Sequence, residues 1–206
     1  MIDVSAAVKS AEELDKAVGV VAKLVEKLKS KPDLAAQKLG QALGEVAKTL
    51  YVVDNAASEF LSLGIDEGAL AKNSRLLLEI DGGSLSTEVQ RGRGHCHRID
   101  QIYSKYLDKW FESVFNQDEY ASVKRVFQEL GDADGNLFRN LEQVAVALQV
   151  EASVVLDFVV KGEESNARSR VLLALPAIRP LRRTVLKTMQ TLYSMQGEFV
   201  DIMGAV

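Results

Sequence analysis

Apolar residues recur over the first thirty positions at alternating intervals of three and four: Val4, Ala7, Ala11, Leu14, Val18, Val21, Val25 and Leu28. That interval keeps side chains on one side of a helix, so the pattern predicts a helix with an apolar seam four heptads long. The polar positions between carry opposite charges four apart, as in Glu12 with Lys16 and Lys9 with Glu13. Such pairs add only about 0.2–0.5 kcal/mol each and describe a solvated face. Ser30, Lys31, Pro32 and Asp33 predict a stop and a restart, because proline fits a first helical turn but cannot continue the helix before it. A second seam with the same spacing runs through Ala36, Leu39, Leu43, Val46, Leu50, Val53, Ala57 and Phe60, ending near Leu63 and Gly64. Two such helices, each roughly 40 Å long at about 1.5 Å per residue and joined by a short turn, predict an antiparallel hairpin. Gly40 and Gly44, one turn apart beside the second seam, predict close approach of another helix backbone.

Further along, a helix is expected over about 65–80, carrying Leu70, Leu76, Leu77 and Ile80. Residues 81–98, DGGSLSTEVQRGRGHCHR, hold four glycines without a strong apolar repeat, which predicts a loop or hinge, with partial helix between Leu85 and Gln90 left open. An aromatic helix follows, with Ile99, Ile102, Tyr103, Tyr106, Leu107, Trp110, Phe111 and Val114 in one broad stripe. Eight of the 13 aromatic residues fall between Tyr103 and Phe138. Rings that each bury about 150–250 Å² predict the thick part of a core there. The other use of such rings is a partner-binding hot spot, for which Trp110 is the candidate anchor if exposed. A helix through Tyr120, Val123, Val126, Phe127 and Leu130 should end at Gly131, and further helices are expected over 137–148, 152–161 and 166–175. Pro176 and Pro180 predict an interruption before a final helix through Val185, Met189, Leu192, Phe199 and Ile202.

No alternating β-branched run with hairpin signals occurs, so the fold class is all-α. The expected architecture is a multi-helix bundle with a long N-terminal antiparallel helical hairpin and shorter C-terminal helices. Residues 1–206 read as a single helical domain, with a subdivision into 1–80, a hinge over 81–98, and 99–206 left open.

Composition narrows the classes. The 206 residues are 47% hydrophobic and 26% charged, enough for a sizeable core. Three prolines and a lone cysteine exclude collagen-like chains, Pro-rich disorder and a disulfide framework, and an unpaired Cys96 suits a reducing compartment. No run approaches the ~18 uninterrupted apolar residues of a membrane span. The best are Val171–Ile178 and Ala17–Ala22. The opening MIDVSAAVKS lacks the basic segment and apolar block of a secretory signal, so a cytoplasmic location is expected.

Candidate chemistry is sparse. Arg91, Arg93, His95, Cys96, His97 and Arg98 form the densest cluster of reactive side chains. A zinc site needs about four convergent ligands and this segment offers three. On a helix His95 and His97 point about 200° apart, whereas in an extended chain Cys96 faces away from both. Adjacent Cys96 and His97 likewise diverge instead of forming a thiolate–imidazolium pair. Asp132, Asp134 and Asn136 match the first oxygen positions of a calcium loop, but Leu137 stands where glycine is needed and Gln143 where a bidentate glutamate is needed. A turn at Asp134–Gly135 with Asn136 capping the next helix is the better reading. Asp132 with Asp134 could do acid–base work only in a pocket that nothing in the chain predicts. Gly92 and Gly94 lack the strand and lysine of a phosphate loop. No catalytic residue, cofactor or metal is expected, and the chain reads as a non-enzyme.

Charge is more informative. Between Ser165 and Gly197 lie Arg168, Arg170, Arg179, Arg182, Arg183 and Lys187 with no acid, leaving −10 on the rest of a chain whose net charge is −4. These cations can pair within the molecule, with a second copy, or with an acidic protein partner. Arg179, Arg182, Arg183 and Lys187 are the candidate partner-binding residues. Overall acidity and the lack of a nucleic-acid module disfavour nucleic acid. Met189, Met195 and Met203 place flexible thioethers on the same C-terminal segment, suited to filling core gaps or to an adaptable interface. The functional expectation is a non-catalytic helical protein–protein interaction module, an adaptor, regulator or assembly subunit. Its alternative is a membrane-acting bundle that binds anionic lipid through the basic C-terminal segment.

Overall fold

The computed structural model describes residues 4–28, 34–64, 70, 74–131 and 136–204, and contains no strand among them. The helices are α1 (Val4–Leu28), α2 (Leu34–Ser62), α3 (Ser74–Asp81), α4 (Ser84–Ile102), α5 (Asp108–Val114), α6 (Gln117–Gly131), α7 (Asn136–Val160) and α8 (Glu164–Gly204), with a π-turn at Tyr103–Leu107 joining α4 to α5. The chain is an all-α bundle, as its periodicity implies.

The longest helix, α8, is the axis on which α1, α2 and α7 seat. α2 runs antiparallel to it: a Cβ on Gly44 would meet the Gln196 side chain, Asp54 bonds Arg182, and Gly64 sits against Leu175. α4 runs antiparallel to α2 on another side, with Gly92 against Thr49 and Leu85 sharing a cleft with Ala56. α7 folds back on α8 through a turn at Gly162, whose φ of 73° suits a residue without a Cβ. α1 touches both, Asp15 reaching Lys187 of α8 and Ser10 donating to Gln143 of α7.

The expected spans of α1 and α2 match the helices formed, and the described seam residues Ala7, Ala11, Val18, Leu39, Leu43, Val46, Leu50, Val53, Ala57 and Phe60 are all buried. The side chains of Val4, Leu14, Val21, Val25, Leu28 and Ala36, and the turn at 30–33, lie outside the described residues. Among the described residues the pairing differs from the expected hairpin: α1 packs mainly on α8 and α7, and α2 on α8 and α4. A seam fixes which face of a helix is buried and leaves its partner to the rest of the chain.

The C-terminal helices are the second departure. They are long instead of short: 136–160 is one helix of 25 residues and 164–204 one of 41. Pro176 and Pro180 lie inside α8 without ending it. Each proline removes the N–H that would bond the carbonyl four residues back, here those of Leu172 and Pro176, and both residues are exposed. Water can therefore take the place of the missing donors, and the helix passes through. Phe199, Ile202 and Met203 have side chains outside the described residues.

The third departure is at 81–98, where the turn shrinks to Gly82 and Gly83, and α4 starts at Ser84. Gly83 adopts φ 88°, and its carbonyl accepts from the Thr87 hydroxyl at 3.0 Å. Gly92 lies within the helix because a Cβ there would stand 2.9 Å from Thr49 Cγ2. The helix gives up about 1 kcal/mol of propensity at a glycine in return for close packing of α4 on α2. Of the helix expected at 65–80, residues 74–81 form α3; 65–69 and 71–73 lie outside the described residues, as do Asp132 to Gly135.

The aromatic helix builds core. Tyr103 stacks on Phe127 at 4.5 Å and 9°, Phe111 lies 6.0 Å from both rings, and Phe115 sits 5.4 Å from Phe111. The buried positions Tyr103, Leu107, Phe111 and Phe115 are four apart three times over, the interval that a widened π-turn accommodates. The stripe is narrower than expected, because Tyr106 and Val114 are exposed, with the Lys38 and Lys105 ammonium groups 5.2 and 5.1 Å from the Tyr106 ring.

Candidate functional site

Fold and pairing divide the basic segment. Arg170 makes two hydrogen bonds to buried Glu151, Nε to Oε2 at 2.8 Å and an Nη to Oε1 at 2.5 Å. Arg182 Nε donates to Asp54 Oδ1 at 2.9 Å, and Asp54 is itself buried. Lys187 Nζ donates to Asp15 Oδ2 at 2.5 Å, and the buried Thr188 hydroxyl donates to Oδ1 of the same carboxylate at 3.2 Å. Three of the cations thus tie α8 to α7, α2 and α1. Arg179 and Arg183 are exposed, and no ion pair among the described residues engages either. The structure therefore splits the four candidate residues: Arg182 and Lys187 serve the fold, while Arg179 and Arg183, one turn apart, face outward.

These two arginines belong to a stripe. Leu172, Pro176, Arg179, Arg183, Gln190 and Tyr193 are exposed and Leu186 half-buried, at successive intervals of three and four along the side of α8 left uncovered by α1, α2 and α7. Leu172 is 47% exposed, Tyr193 is 40% exposed, and Leu173 beside the stripe reaches 74%. From Leu172 to Tyr193 the stripe spans about 32 Å at a helical rise of about 1.5 Å per residue. It contains no carboxylate. Its centre is cationic and its ends apolar. The spacing is readable in the sequence, but the two prolines disguise it by suggesting two short helices instead of one.

Trp110 is not an exposed anchor. It is half-buried against the core, its ring 5.1 Å from Phe111 at 51°.

The other candidate clusters lie on α4, around Asp108 and in a cleft beside α3. His95 is half-buried and His97 exposed on α4, with Cys96 buried between them. Burial pushes the Cys96 thiol up to about 12, and His97 Nε2 lies 3.0 Å from Gln101 Nε2. Asp108 Oδ1 accepts from Tyr103 Oη at 2.7 Å and Tyr120 Oη at 2.8 Å. Its burial, which alone would raise the carboxyl, is outweighed by these two hydroxyls and by the Lys124 charge, leaving the pKa below 3.8. Between α2, α3 and α4 lies a cleft of about 210 Å³ lined in part by Glu59, Glu79 and Ser84. Burial and then the Glu79 charge raise Glu59, while Glu79 pairs with Arg75 at 2.9 Å. The Ser84 hydroxyl donates to the Glu79 backbone carbonyl at 3.0 Å.

In comparisons with known proteins, no family model, curated protein or solved structure matches this chain.

Proposed function

We propose that this chain is a non-catalytic helical interaction module, an adaptor, regulator or assembly subunit, that holds an acidic protein partner on the outer face of α8. One observation carries the reading: Arg179 and Arg183 stay exposed while Arg170, Arg182 and Lys187 beside them are paired with carboxylates of the same chain. A helix whose Arg170, Arg182 and Lys187 are paired within the molecule, and whose Arg179 and Arg183 lie together on an uncovered apolar-flanked stripe, presents a positive surface there. Arginine suits this use because its planar fork binds carboxylate in two places at once. Exposed leucine and tyrosine on either side supply the apolar contact that charge alone lacks.

A second reading rests on the same stripe. Leu172 and Leu173 next to two arginines also fit an anionic lipid surface, the apolar groups entering and the guanidinium groups staying at the headgroups. The stretch Glu142–Val160 of α7 has a mean hydropathy of 1.7 and a length sufficient to cross a membrane, but 44% of it is buried and its Glu151 pairs with Arg170 inside the bundle. It supports a core helix.

The test compares wild type, R179E/R183E and R182Q in binding to poly-glutamate and to phosphatidylserine vesicles. Poly-glutamate should bind wild type and lose at least tenfold with R179E/R183E, while R182Q should change stability more than binding. Equal binding by wild type and R179E/R183E overturns the assignment. Vesicle binding without poly-glutamate binding moves it to the lipid reading. A mass of twice 22.6 kDa that falls to one chain in R179E/R183E would make the acidic partner a second copy of this chain.

A further inference from the structure

We infer that the occupant of the α8 face is an acidic amphipathic helix lying lengthwise along it, an inference that rests on the reading of that face as partner-binding. The alternation of three and four residues continues without a break from Leu172 through Arg179, Arg183 and Leu186 to Tyr193. A seam of this kind is matched by another helix whose contacts repeat at the same intervals. An extended segment fits poorly for a separate reason. Its backbone N–H and C=O groups need an open sheet edge or water, and the flank of a helix offers side chains with almost no backbone donors. A partner that buries its backbone against α8 must satisfy its own hydrogen bonds, and a helix does so.

The order of side chains sets the chemistry of that helix. Arg179 and Arg183 stand about 6 Å apart along the axis, the separation of residues four apart on a partner helix. Two carboxylates at that interval meet the two guanidinium groups. Leu172 lies about two turns to one side and Leu186 and Tyr193 one to three turns to the other, so apolar residues should flank the acids on the same face of the partner. The carbonyls of Leu172 and Pro176, deprived of α-helical donors by Pro176 and Pro180, add backbone acceptors at one end of the seam. A donor such as serine or glutamine on the partner helix would suit that position. The −10 carried by the rest of this chain disfavours long acidic partners that would also lie across other faces, and favours a short segment confined to α8.

The decisive experiment measures fluorescence anisotropy of two labelled synthetic 24-residue peptides with the full chain. Both have the same composition of Glu, Leu, Ala and Gln. In the first, two Glu residues four apart lie between leucines on one helical face, and in the second the order is shuffled so that no face forms. The patterned peptide should bind at least tenfold more tightly, and R179E/R183E should lose at least tenfold for it. A third peptide with Lys in place of those Glu residues should bind R179E/R183E better than wild type, a gain that misfolding cannot produce. Equal binding of the patterned and shuffled peptides overturns the helical occupant while leaving the acidic partner standing. Binding of neither, or no change with R179E/R183E, overturns the reading of the face itself.

Discussion

The aromatic cluster around Tyr103 and the outer stripe of α8 look alike as sequence, each a concentration of residue types that proteins use for recognition, yet they end in opposite states. In the first, Tyr103, Phe111 and Phe127 are buried against one another, and both tyrosine hydroxyls that approach Asp108 donate to it. In the second, two arginines and flanking leucines meet solvent. Recognition chemistry becomes architecture when the chain supplies its own partner. It remains available only where the chain does not, and that condition is set by tertiary pairing.

Substitutions should reveal the contrast in stability. Phe127→Ala removes a buried ring stacked on Tyr103 and is expected to cost about 3–5 kcal/mol in urea unfolding, the range for large core truncations. A cost under about 1 kcal/mol would mean that the cluster is not the packed side of the comparison. Glu151→Ala leaves Arg170 without its carboxylate in a site where Glu151 is 3% exposed, and should cost about 3 kcal/mol by the same measurement. Lys187→Ala, which breaks a pair whose lysine is 69% exposed, should cost well under about 1 kcal/mol.

Acid sharpens the cluster further. Asp108 has a folded pKa below its ordinary 3.8, so its ionised form contributes stability above that value, and the contribution is lost as pH falls through the lower folded pKa. Unfolding midpoints measured from pH 6 down to pH 2.5 should fall less steeply in Asp108→Asn than in wild type; identical slopes would remove Asp108 from the acid response. The smallest effect belongs to the stripe. Arg179→Ala and Arg183→Ala should each shift stability by no more than about 0.5 kcal/mol, as expected for exposed positions without an internal partner. A loss above about 1 kcal/mol in thermal or urea unfolding would show that these arginines also serve the fold.

Local rules made much of the fold legible. The spans of α1 and α2 and the burial of Leu39, Leu43, Leu50 and Phe60 follow from spacing alone, since a 3.6-residue period decides which face is apolar. What stayed hidden was decided at long range. Gly92 is tolerated in a helix because Thr49 packs against it, and Pro176 because Leu172, whose carbonyl it leaves without a donor, is exposed; neither circumstance is visible from the local pattern. The candidate site was half legible for the same reason. Six cations without acids mark the segment, but Arg182 is separated from Asp54 by 128 residues and Lys187 from Asp15 by 172, so no window of sequence tells the spent charges from the free ones.

The π-turn at Tyr103–Leu107 has a consequence for how this helix changes over time. A π-turn adds one residue to the count between two stretches of ordinary helix, so α4 and α5 are written in different phases, offset by about 100°. Deleting one residue there, for instance Ser104, would close the turn and swing Phe111 and Phe115 away from Phe127 while leaving Cys96 and Ile99 in place. Conversely, a related chain with an ordinary helix at this point would align with α4 or with α5, and would need a one-residue gap to align with both. The turn is a frame shift held in place by aromatic packing, and its loss would be felt first at Phe111.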